Sequence, residues 1–252
     1  MRGLFITGTD TDVGKTWVTA AIARQLRADG LRPGVFKPAC SGAELDDSGE
    51  PRWHDVEALA EAAGIADRQL ICPQTFAAPL APPVAARQEG RTVSWQGMLD
   101  GVARWEGESL KADLLLVEGV GGMLCPLTEN RCVADLAVAL KFPLVIVARL
   151  GLGTINHTLM TIEAARSRGL NIAGVILNDG QNLAETAAGK TNYDELNRLA
   201  DVLVLGLLPF GGQSVCLRDG RTSARINWLE LADGAAGRRC CRLTDSSGDA
   251  IR

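Results

Sequence analysis

The 252 residues, 46% hydrophobic and 22% charged, are enough for one domain with a substantial buried core. A formal net charge of −4 speaks against a nucleic-acid surface. No apolar run approaches the roughly twenty residues of a membrane span, so neither nucleic acid nor membrane is expected as a partner. The seven cysteines (Cys40, Cys72, Cys125, Cys132, Cys216, Cys240 and Cys241) are odd in number and lack paired C-x-x-C spacing. They read as reduced thiols rather than a disulfide framework or zinc site. With Met1-Arg2 leading directly into a strand, a cytoplasmic location is expected.

Leu4 to Ile6 reads as a short buried strand, followed by a loop from Gly8 to Gly14. Lys15-Thr16 opens a helix with Trp17, Val18, Ala21, Ile22 and Leu26 at helical spacing. Strand, glycine-bounded loop and Gly-Lys-Thr at a helix start form a phosphate cradle, because the free N–H groups there point at an anion. Asp12, Val13, Gly14, Lys15, Thr16 and Trp17 are the candidate ATP contacts. Lys15 would meet the β- and γ-phosphates, and the Thr16 hydroxyl would coordinate Mg²⁺. Five residues, Thr9 to Val13, separate Gly8 from the Gly14-Lys15 pair, where the general pattern has four.

That longer loop resembles the Gly-Thr-Asp-Thr-X-Val-Gly-Lys-Thr signature of the dethiobiotin synthetases, ATP-dependent ligases of biotin synthesis. The resemblance implies an α/β fold of the P-loop NTPase kind, a single domain with a mostly parallel sheet flanked by helices. Arg32 to Lys37 is the second strand, which brings Lys37 and Ser41 to its carboxyl end, where open parallel sheets gather ligands. By position alone Lys37 is also readable as a solvated charge. The family's Lys-Pro-X-X-Ser-Gly implies catalysis for Lys37 and substrate contact for Ser41.

Residues 43–52 are polar and read as a mobile loop. Trp53-His54-Asp55 precedes a helix from Val56 to Ala63 closed by Gly64. Asp55 suits an N-cap, and the resemblance implies a magnesium ligand; His54 reads as a surface residue. The prolines between Gln74 and Arg87 suggest a rigid loop on the substrate side rather than a helix. A helix is expected over 94–107.

Within Asp113 to Gly122, the apolar run Leu114 to Val117 reads as a strand buried on both faces that ends on Glu118, with glycines following. An acidic residue there suits Mg²⁺ beside a nucleotide. Gly119, Val120 and Gly121 follow as backbone contacts of ATP, and Val-Glu-Gly-X-Gly-Gly is also the family's wording. A helix over 132–140 and a strand over 144–148 come next. Gly151 to Thr158 opens a helix running to about Gly169, where Thr154 and Asn156 cap the helix or Asn156 binds a carboxylate. In the family this motif lies at a homodimer interface and helps bind the substrate acid of the partner's site.

The strand over 170–178 ends on Asn178-Asp179, which offers the donor and acceptor that an adenine edge requires. The family uses an Asn there. After a strand over 202–207, Leu208-Pro209-Phe210 matches the family's second base-contacting segment. Beyond Gly211 the pattern fades, with 226–231 a possible helix or strand. The division expected is a ligase domain over 1–232 and a disordered tail over 233–252; the resemblance covers Met1 to Phe210.

The resemblance thus implies a homodimeric cyclo-ligase taking 7,8-diaminononanoate, CO₂ and MgATP, with Lys15 and Lys37 stabilising the transferred phosphoryl group. A rival is an ATPase switch of the ParA and MinD type, which carries an extra Lys five residues before the loop lysine, where this chain has Asp10. An amide-forming cobyrinate-type synthase normally needs a glutaminase domain for which there is no room. An inactive ATP-binding relative is the last alternative.

Overall fold

The computed structural model describes residues 1–107, 110–216 and 226–234. Six strands form the main sheet: β1 (Gly3–Gly8), β2 (Pro33–Phe36), β7 (Leu114–Gly122), β8 (Leu144–Arg149), β9 (Ile172–Asn178) and β10 (Val204–Leu208). Their order is β10-β9-β8-β1-β7-β2, with every neighbouring pair parallel. Between them run β3 (Cys40–Ser41), β4 (Glu44–Leu45), β5 (Pro51–Arg52) and β6 (Thr75–Phe76). The helices are α1 (Lys15–Ala28), α2 (His54–Ala63), α3 (Arg68–Ile71), α4 (Pro82–Gln88), α5 (Trp95–Ala103), α6 (Val133–Leu140), α7 (Thr154–Arg166), α8 (Ala187–Leu199) and α9 (Trp228–Ala232).

A parallel sheet must be covered on both faces, and alternation along the strands divides the core accordingly. Leu4, Ile6, Leu114, Leu116, Val145 and Val147 pack beneath α1, α2 and α9. Phe5, Leu115, Val117, Leu144 and Ile146 pack beneath the helices of the other face, α4 to α8. With β1 central, β7 and β8 flank it at the point where the strand order reverses. The start of α1 therefore opens onto the carboxyl ends of β1, β7 and β2. No helix among the described residues is long and apolar enough to cross a membrane.

Several expectations are corrected. Residues 43–52, read as a mobile loop, carry a small hairpin in which β4 and β5 pair. Asp46 closes its turn, accepting from Ser48 N, Ser48 Oγ and Glu50 N. The proline-spaced stretch becomes α4, because Pro82 and Pro83 sit at its first turn, where no N–H is needed. Strand β7 does not end on Glu118; it runs on beside β1 to Gly122. Of the helix and the strand expected over 226–231, the structure has the helix, α9. Trp228 is buried, its Nε1 donates to Gln25 Oε1 at 2.9 Å, and Gln25 Nε2 returns to the Ile226 carbonyl. Residues 235–252, most of the expected tail, lie outside the described residues, as do Cys240 and Cys241.

Candidate active site

The phosphate loop turns sharply at Gly14, whose φ of 93° suits glycine. Any Cβ there would stand 2.0 Å from Asn178 Nδ2, so the loop and the end of β9 are packed backbone to side chain. Val13, named as an ATP contact, is fully buried and does not line the cleft. Lys15 lies almost buried in the loop's hollow and donates from Nζ to the Asp10 carbonyl at 3.0 Å. Burial, and then the charge of Lys37, pull the Lys15 pKa below the usual lysine range.

Lys37 follows β2 directly, its backbone N–H donating to the Ile71 carbonyl at 2.8 Å. Its Nζ donates to Glu118 Oε1 and to Asp55 Oδ2, each at 2.6 Å. Thr16 Oγ1 donates to the same Glu118 oxygen at 2.8 Å. Strand β2, strand β7 and two helix starts thus deliver four side chains to one point. Glu118 is 0% exposed and Lys37 3%, so this is a buried ion pair in which each charge depends on its partner. Burial alone would depress Lys37, but Glu118 and then Asp55 outweigh it and hold the ammonium well above an ordinary lysine. Burial would raise Asp55, but Lys37 overrides that and keeps its carboxyl below the usual range.

Asp55 is not the cap of α2. Trp53 occupies that position, anchored by its indole on the Phe76 carbonyl at 2.9 Å, and Asp55 stands in the first turn, where the helix dipole favours an anion. His54, mostly exposed, pairs with Glu44 across the hairpin, as befits a surface residue. Cys40 lines the cleft, but burial pushes its thiol up to about 11, which suits packing rather than nucleophilic attack.

The cleft over this cluster measures about 690 Å³ and is lined by Asp12, Gly14, Lys15, Thr16, Trp17, Lys37, Ser41, Asp55, Val120 and Gly121. Glu57, Ala58 and Glu61 of α2 also line it, a wall that the helical reading of 56–63 did not single out. Glu118 Oε2 is buried without a hydrogen-bond partner, and the oxygens of Thr16, Asp55 and Glu118 are hard donors. That set fits Mg²⁺, which takes one or two carboxylates plus phosphate and water oxygens. A cluster of three or more His, Cys, Asp or Glu ligands, which Mg²⁺ does not need, is absent among the described residues.

The remaining candidates lie apart. Gly119 is buried within β7 rather than in the cleft wall. Asn178 Nδ2 donates to the Val13 carbonyl at 3.0 Å, so one of its donors serves the loop. Asp179 is turned inward, accepting from Leu183 N at 2.7 Å and Ala184 N at 3.0 Å. Leu208 is in the core and Phe210 is 59% exposed. Asn156 is exposed on α7 and contacts Met160; Gly153, with no side-chain cap, begins that helix, so neither Thr154 nor Asn156 caps it. Arg149 escaped the sequence reading. Its Nη2 reaches Asp10 Oδ2 at 3.3 Å, and the signal was there: the first charged residue after the apolar strand Leu144–Ala148.

Residues 2–215 match the family model described as an AAA domain. The chain is 48% identical over 212 residues to the "ATP-dependent dethiobiotin synthetase BioD" of Anaeromyxobacter sp. (strain Fw109-5), covering 80% of this chain and 91% of that one. It is 40% identical over 213 residues to the protein of the same name from Bacillus subtilis (strain 168), covering 83% and 87%. Among solved structures, MinD in the MinC:MinD complex of Aquifex aeolicus superposes with a TM-score of 0.52 at 15% identity, over 92% of this chain and 95% of that one. At that identity the likeness shows the fold, a P-loop NTPase, and nothing finer. The phosphate loop and the relatives agree: the chain belongs to the ATP-dependent dethiobiotin synthetase family.

Proposed function

We propose that the chain is an ATP-dependent cyclo-ligase that forms dethiobiotin from 7,8-diaminononanoate and CO₂. The observation that carries this reading is the Lys37 ammonium, held 2.6 Å from both Glu118 and Asp55 beside a phosphate loop. A positive charge fixed there meets negative charge building on a transferred γ-phosphoryl group, and costs no reorganisation when it forms. Lys15 would add a second ammonium on the β- and γ-phosphates.

One amine captures CO₂ as a carbamate. The carbamate oxygen attacks the γ-phosphorus, ADP departs, and a carbamic-phosphoric anhydride results. The second amine attacks the carbonyl carbon, phosphate leaves and the ring closes. No protein nucleophile is required, in keeping with a Cys40 thiol that burial holds protonated. Ser41, on the cleft wall, is the candidate for holding the diamine. Thr16, Asp55 and Glu118 would hold Mg²⁺, which when bound supplies charge neutralisation across the phosphates. Asn178 and the 208–210 segment remain the candidates for the adenine side.

The enzyme acts as a homodimer in which Asn156 helps bind the substrate acid of the partner's site; the exposure of Asn156, of Met160 (62%) and of Leu152 (95%) supports this. We place the enzyme in the cytoplasm, where the free Cys40, Cys72, Cys125, Cys132 and Cys216 stay reduced. The switch alternative is disfavoured by Asp10, an acid where those ATPases carry a lysine. Phosphate release from MgATP, followed with and without bicarbonate and diamine, tests the proposal. Release that requires both, with dethiobiotin identified by mass, supports it; release indifferent to both refutes it.

A further inference from the structure

Two residues that face each other in the β8–β9 ladder, Arg149 and Asn178, grip opposite ends of the phosphate loop. Arg149 Nη2 donates to Asp10 Oδ2 at 3.3 Å and to the Thr11 carbonyl at 3.4 Å. Asn178 Nδ2 donates to the Val13 carbonyl at 3.0 Å. Between them Asp12 adopts a left-handed φ of 55°, a conformation that is strained outside glycine and lasts where its surroundings hold it. The two grips are joined to each other as well, since Leu150 N donates to the Asn178 carbonyl at 2.8 Å.

We propose that Arg149 and Asn178 are positioning residues that hold the loop from Asp10 to Gly14 in the shape that accepts a triphosphate. This rests on the nucleotide reading above. Asp10 is the reason the clasp is needed. Its carboxylate gathers the Thr11 N–H at 2.7 Å and its carbonyl takes the Lys15 ammonium, which shapes the loop but sets a negative charge at the lip of an anion site. The Arg149 guanidinium offsets that charge and fixes the lip from outside, while Asn178 fixes the inner end against Gly14. The Arg149 side chain is 44% exposed and that of Asp10 56%, so water screens the pair and its effect on affinity is modest.

MgATP affinity of the full chain, measured by titration calorimetry, tests this on a residue whose truncation leaves the core intact. Arg149→Ala is expected to weaken MgATP binding by about fivefold, the upper range for an exposed ion pair. KM for ATP should rise with it while kcat falls by less, and Arg149→Lys should recover most of the loss. In an Asp10→Asn background the same Arg149→Ala change should cost less than about twofold, because coupled residues do not add. An undiminished loss there would mean that Arg149 meets the nucleotide directly, and overturns the positioning role. Wild-type binding with an unaffected Arg149→Ala variant overturns the clasp alone. A wild-type chain that does not bind MgATP overturns the nucleotide reading, and the clasp with it.

Discussion

The carboxyl ends of β2 and β7 and the carboxyl ends of β9 and β10 are built alike, yet they use their polar residues in opposite ways. At β2 and β7, Lys37 and Glu118 form a buried ion pair at the floor of the cleft. At β9 and β10, Asp179 is buried too, but both its oxygens accept from backbone N–H groups, and Asn178 spends one donor on the Val13 carbonyl. A buried ion pair beside a cleft, with Glu118 Oε2 still lacking a hydrogen-bond partner, points to a ligand there. A buried polar group spent on backbone implies a scaffold.

The largest effect is expected at Lys37. Lys37→Ala should lower kcat by about 10²–10³-fold, the usual cost of removing one transition-state donor, while MgATP Kd moves far less. The same change strands the buried Glu118 carboxylate, so a fall in Tm should accompany it. An unchanged kcat would remove Lys37 from the chemistry. Gly14→Ala comes next. The positive φ and the 2.0 Å approach to Asn178 should weaken MgATP binding about tenfold and cost of order 1–3 kcal/mol in urea unfolding.

Smaller effects sharpen the contrast. Burial and Lys37 lower the Lys15 pKa, so the free enzyme loses that charge before pH reaches 10.5. MgATP affinity should therefore decline with rising pH from below that value, and Lys15→Arg should flatten the decline; titration calorimetry across alkaline buffers reads both. On the scaffold side, Asp179→Ala should cost about 1 kcal/mol in stability, the worth of a lost helix-cap-like bond. It should leave KM for ATP within about twofold. A larger KM effect than Tm effect would return Asp179 to the nucleotide site.

Much of the cleft side was legible in sequence because its chemistry rides on regular elements. Apolar runs closing on Lys37 and Glu118, and a glycine loop closing on Lys15-Thr16, announce the strands and the polar residues that follow each run, although β7 itself runs on to Gly122. The β9–β10 side was less legible. Asn178 and Asp179 occupy equivalent places, but whether an amide serves a ligand or a neighbouring carbonyl depends on what packs against it, and Val13 lies 165 residues away in the chain. Local context also misled at Pro82-Pro83, where rigidity suggested a loop although the first turn of a helix welcomes proline. Trp228 was obscure for the same reason: its slot is formed by Gln25 on α1, which no short window of sequence displays.

In the proposed reaction a phosphoryl group moves onto an oxygen that came from CO₂. Bicarbonate labelled with ¹⁸O, supplied with MgATP and the diamine and sampled before exchange with water, tests it by mass analysis of the released phosphate. Phosphate carrying one labelled oxygen is the outcome the account predicts. Phosphate released at the same rate without label would contradict it, since water rather than a carbamate would then have attacked the nucleotide.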